Sequence, residues 1–76
     1  MILSPRKVEI AELVAQGLTN KAIARRLHTF DAWGRRKNLS PRTVETYVYE
    51  IAECIPGAGP PRQRITAWWW RKEDVA

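Results

Sequence analysis

The chain predicts an all-α domain built from four helices, and three observations carry that prediction. Three segments open with the same helix-start wording: Leu3-Ser4-Pro5-Arg6, Leu18-Thr19-Asn20-Lys21 and Leu39-Ser40-Pro41-Arg42. Behind each start, apolar residues recur every three or four positions, the period of a helix with one buried face. Gly17 and the run Pro56-Gly57-Ala58-Gly59-Pro60-Pro61 fall between the periodic stretches, where no helix continues.

Each start has a physical reading. Ser4, Thr19 and Ser40 are N-caps whose hydroxyls accept a free amide of the first turn. Pro5 and Pro41 take the first helical position, where a missing N–H costs nothing. The leucine before each cap pairs with an apolar residue four positions after it: Leu3 with Val8, Leu18 with Ile23, Leu39 with Val44. This is the spacing of a hydrophobic staple. The first helix is expected over about residues 5–16 and the second over about 20–28. The third is expected over about 41–54, burying Val44, Val48 and Ile51, and the fourth over about 62–74. No strand is expected. Residues 29–39 are expected to be a loop, with Phe30 and Trp33 forming a short helical turn that anchors it on the core.

Seventy-six residues are one domain at most. No apolar run approaches the roughly 20 residues of a membrane helix, and the start at Met1 lacks the apolar stretch of a signal peptide. A cytoplasmic, stand-alone protein is the expectation. Cys54 has no partner cysteine and only His28 for company, so neither an internal disulfide nor a metal site is expected. No nucleophile–base set, paired-carboxylate cleft or glycine-rich phosphate loop is present, so neither an enzyme nor a cofactor is expected. The net charge is +5 and the pI about 10.0, a balance that suits nucleic acid. Residues 31–44 set Arg35, Arg36, Lys37 and Arg42 against Asp31 alone, whereas residues 45–60 carry Glu45, Glu50 and Glu53 and no cation.

The chain resembles the LuxR/GerE-type helix-turn-helix domain of bacterial transcription regulators. The resemblance runs through Leu3-Ser4-Pro5-Arg6, Glu9-Ile10, Leu13 to Lys21, and Ile23-Ala24-Arg25-Arg26-Leu27. It resumes at Ser40-Pro41-Arg42-Thr43-Val44-Glu45-Thr46-Tyr47-Val48, with a weaker counterpart at residues 62–72. It implies a four-helix domain whose third helix enters the major groove of double-stranded DNA and whose fourth commonly makes a homodimer. It also implies base contacts at Glu45, Thr46 and Tyr49. Glu45 would accept from a cytosine amine, Thr46 would meet a thymine methyl, and Tyr49 would touch base or phosphate. Phosphate contacts are implied at Thr19, Asn20 and Lys21, with Arg42 and Thr43 in the same role.

Two departures stand out. Where the family has a tight turn, this chain carries about ten more residues between Leu27 and Ser40. The third helix is also acidic for a DNA reader. Arg35, Arg36 and Lys37 in the insertion fit either phosphate or minor-groove contact, or a solvated charge run. Arg25 or Arg26 could pair with Glu9 or Glu12. Trp68, Trp69 and Trp70 cannot share one helical face, so at least one should be exposed as a dimer or partner interface; the bland alternative is a cover for a thin core. The chain therefore reads as a DNA-binding regulator. Its alternative is the same scaffold reused to bind transcription machinery or another regulator. Membrane attachment through the last helix is disfavoured by its shortness and by Glu73 and Asp74.

Overall fold

The computed structural model describes residues 3–71. Four helices, α1 (Pro5–Ala15), α2 (Asn20–Arg26), α3 (Pro41–Cys54) and α4 (Pro61–Arg71), enclose the core, as the four-helix reading expects. Between α2 and α3 lies an antiparallel two-stranded hairpin, β1 (His28–Phe30) and β2 (Arg36–Asn38), paired in the register His28–Asn38, Thr29–Lys37 and Phe30–Arg36.

The three caps form. Ser4 Oγ accepts from the Lys7 amide, Thr19 Oγ1 from Ala22 at 3.1 Å, and Ser40 Oγ from Thr43 at 3.1 Å. Helix α1 ends in a reversed turn: the Gly17 amide donates to Val14 O and the Leu18 amide to Leu13 O, with Gly17 at φ 90°. That pair of bonds satisfies carbonyls the helix would otherwise leave open, and the positive φ favours glycine. It also turns the chain straight into the Thr19 cap of α2.

The core is aliphatic. Ile10, Ile23, Val44, Ile51 and Ile65 are fully buried, and Val14, Ala24, Val48, Ala52 and Ile55 complete the cluster. Leu3, Leu18 and Leu39, the residues before the caps, pack against it, so the staples tie each helix entry to the centre. Helix α4 rests on α1 and α3, while α2 rests on α3.

The insertion corrects one expectation. Residues 29–39 are not an irregular loop, and Phe30 and Trp33 do not anchor it on the core. Both rings are exposed, Phe30 by 65% and Trp33 by 79%. The physical reason is a strong local turn. The Asp31 carboxylate accepts from the amides of Trp33 and Arg35, both at 2.9 Å. The Asp31 amide donates to Arg35 O, and Gly34 supplies a φ of 75°. Leu27 leaves helical geometry at φ −101°, ψ 149°, which starts the strand and ends α2 at Arg26. The last positions of the expected fourth helix, 72–74, lie outside the described residues.

Candidate nucleic-acid interface

The interface is built where the start of α2 meets the outward side of α3. Val44, Val48 and Ile51 commit one side of α3 to the core, so its helical period leaves Arg42, Glu45, Thr46 and Tyr49 on the other. These four line a single surface groove with Asn20 and Pro41, of about 480 Å³. Tyr49 is 55% exposed. The Thr46 hydroxyl donates to Arg42 O at 3.2 Å, one turn back in its own helix. That bond uses the hydroxyl proton, leaving Thr46 its methyl and an acceptor oxygen to offer. Among the described residues Glu45 has neither a hydrogen bond nor an ion pair, whereas Glu50 meets Lys7 of α1 at 3.9 Å.

The residues implied as phosphate contacts fall into distinct places. Asn20 and Arg42 line the groove, and Lys21 is exposed beside it. Thr19 and Thr43 are engaged in capping: Thr19 holds the Ala22 amide, and the Thr43 hydroxyl lies 2.9 Å from that of Ser40. Arg35, Arg36 and Lys37 are not in the groove; they are exposed on the hairpin. The hairpin's base is tied down on three sides. Arg6 of α1 donates to His28 O at 2.8 Å, Asn38 Nδ2 to Arg25 O at 3.4 Å, and the Leu39 amide to Leu27 O at 3.4 Å. Arg36 donates to His28 Nδ1 across the strands at 3.2 Å. Glu9 lies 3.8 Å from Arg6, and neither Arg25 nor Arg26 forms an ion pair among the described residues.

The tryptophans of α4 lie away from this groove. Trp68 and Trp69 are half-buried against the core, edge to face at a ring separation of 6.2 Å. Trp70 is 57% exposed, and its indole N–H points to Ala15 O of α1 at 3.4 Å. The rings therefore divide, two serving the core and one the surface.

Arg62 is the residue that sequence reasoning missed. From the first turn of α4 it donates to Asn20 Oδ1 at 2.7 Å and to Leu18 O. The guanidinium thus takes up the acceptor side of the Asn20 amide and leaves its N–H₂ group for a ligand. No periodicity signals a bond across more than forty positions; the surplus of arginines near Pro61 was the single hint. Arg62→Ala leaves Leu18 O and Asn20 Oδ1 without their charged donor and is expected to cost about 1–3 kcal/mol in thermal unfolding. Arg62→Lys, which lacks the fork, should recover part of it.

Among the described residues no helix is long and apolar enough to cross a membrane. Residues 1–30 match the family model GerE, bacterial regulatory proteins of the luxR family. No curated protein and no solved structure matches the chain. The matched segment spans α1, the glycine turn, α2 and the first strand, and holds two of the three capped helix starts. With the four-helix architecture that follows the matched segment, the chain is similar to the LuxR/GerE-type helix-turn-helix domain, a family of DNA-binding regulators.

Proposed function

We propose that this domain is a sequence-specific transcription regulator that lays α3 in the major groove of duplex DNA. The observation that carries the reading is the convergence of Asn20, Arg42, Glu45, Thr46 and Tyr49 on one groove. Glu45, free of partners among the described residues, accepts from a cytosine amine; the Thr46 methyl packs on a thymine methyl; Tyr49 reaches a base edge or phosphate. Arg42, Lys21 and the Asn20 amide hold the sugar-phosphate backbone and set the register. The Lys7–Glu50 pair supports the reading, because it partly neutralises one carboxylate of an acidic helix. The domain acts as a homodimer through α4, with Trp70 at the contact, on a site of two inverted half-sites.

Selection of random duplex DNA on the purified protein at moderate salt tests this. An enriched motif with two inverted halves is the expected result. Sedimentation at tens of micromolar should then give a dimer that Trp70→Ala weakens. The acidic face of α3 favours a second reading, in which the scaffold binds a protein of the transcription machinery. No enriched motif, with retention that fades uniformly as salt rises, means that α3 does not read bases and turns the search to a protein partner at the tryptophan face.

A further inference from the structure

The hairpin has a structure that its position in the turn does not require. A two-stranded hairpin standing alone is marginal in water, yet this one is fully organised at its tip. One carboxylate, Asp31, holds the amides of Trp33 and Arg35 and lies 3.5 Å from the Arg35 guanidinium. That guanidinium in turn sits 5.7 Å from the centre of the Trp33 ring. The polar bonds of the tip converge on presenting one indole, and that indole is 79% exposed. An exposed tryptophan held this way is a contact looking for a partner, since it gains nothing from the core.

Charge and position choose the partner. Arg35 lies against the ring, Arg36 and Lys37 follow it on β2, and the single acid of the hairpin, Asp31, is already matched to Arg35. A polyanion fits. The hairpin leaves the body at the N-terminal end of α3, where Ser40 caps the helix immediately after Leu39 closes the hairpin base. Arg42 and Glu45 lie on the first turns of the same helix. The three paired residues of each strand give roughly 10 Å of reach, and the tip extends beyond them. That is comparable with the roughly 12 Å width of the major groove. A hairpin rooted at the start of α3, the end proposed to enter the major groove, is therefore long enough to meet the adjoining phosphate ridge.

We infer that the tip enters the minor groove flanking the site read by α3. Arg36 and Lys37 hold the phosphates, and Trp33 wedges against a base step, unstacking it and bending the duplex. Exposed apolar rings beside arginine are suited to that role. The inference rests on the DNA-reading function proposed above and adds to it a second, shape-dependent contact. It predicts a preference for easily unstacked pyrimidine–purine steps in the flank.

The test uses the full chain and a duplex carrying the selected motif, with 2-aminopurine placed in turn at the flanking steps. The wild-type protein should protect the flanking minor groove from hydroxyl radicals and raise 2-aminopurine emission at one step. Trp33→Ala, at an exposed position, should keep the fold by circular dichroism and keep the protection over the α3 site. It should lose the flanking protection and the emission rise, and bind about tenfold more weakly. Trp33→Phe should retain part of both. Protection over the α3 site with the flank and emission identical in the wild type and Trp33→Ala overturns the hairpin contact alone. No specific protection by the wild type overturns the DNA-reading function and the hairpin contact with it.

Discussion

Ile65→Ala is expected to destabilise the domain by about 2–5 kcal/mol, the range for removing a fully buried isoleucine side chain to alanine. Ile65 is fully buried and is the one residue of α4 in that state, so it is the main apolar tie between α4 and the α1–α3 pair. A domain of this length holds on the order of 4–11 kcal/mol in total. The loss is therefore a large fraction of what is available, and the melting temperature should fall by roughly 10 °C or more. Three of the four tryptophans lie on α4. Detachment of α4 should therefore shift tryptophan emission to the red before helical signal is lost. Trp70→Ala is the control: its ring is largely exposed and its one hydrogen bond is long, so its effect on the melt should be small. An Ile65→Ala protein that melts with the wild type would mean that α4 is held by its arginines, through Arg62 and Arg64, and not by its apolar face.

The second large effect concerns reading. Thr46→Ala and Tyr49→Ala should each relax the selected motif at particular positions, at about 1–3 kcal/mol of discrimination per base contact. Glu45→Gln should act differently. It removes a carboxylate from beside the phosphates, so overall affinity should rise while the preference for cytosine at one position is lost. Lys21→Ala provides the contrast. A phosphate contact carries no sequence information, so binding should weaken alike on every sequence and the salt slope should flatten by about 1. Should the motif selected by Thr46→Ala and Tyr49→Ala match that of the wild type at every position, α3 does not read bases, whatever else it binds.

The two sets of outcomes are separable because they use different sides of α3. Val44, Val48 and Ile51 face inward with Ile65, and Glu45, Thr46 and Tyr49 line the groove on the outer side. A substitution on the outer face should leave the melt within a few tenths of a kcal/mol, the usual range for exposed positions. The Arg62 link is the exception, since it joins the outer face to α4. For that reason Arg62→Ala should show in both the melt and the binding, a combined signature that no other single change discussed above should give.

Much of this was determined by the sequence itself. The three helix starts needed no tertiary context, because a capping hydroxyl, a proline at the first helical position and a staple leucine act within about five residues of one another. Gly17 likewise ended α1, with its own amide bonded to Val14 O and the Leu18 amide to Leu13 O, all within six residues. The outward side of α3 followed from the positions of its apolar residues, so Glu45, Thr46 and Tyr49 could be grouped before any contact was known. What only the tertiary structure decided depends on groups far apart in the chain or on polar bonds that leave no apolar pattern. The hairpin escaped notice because its strands are three residues long and all of β2 is exposed, so no alternation marks it. Its turn is made by one carboxylate, which in the sequence is a lone aspartate among cations. Phe30 and Trp33 were expected inside because aromatic rings usually are, and the Asp31 tip holds them outside. The division of the three tryptophans and the grip of Arg62 on Asn20 and Leu18 arose only when α4 met α1 and α2. Such contacts are chosen by the packing of whole helices, and a one-dimensional pattern does not record which helices meet.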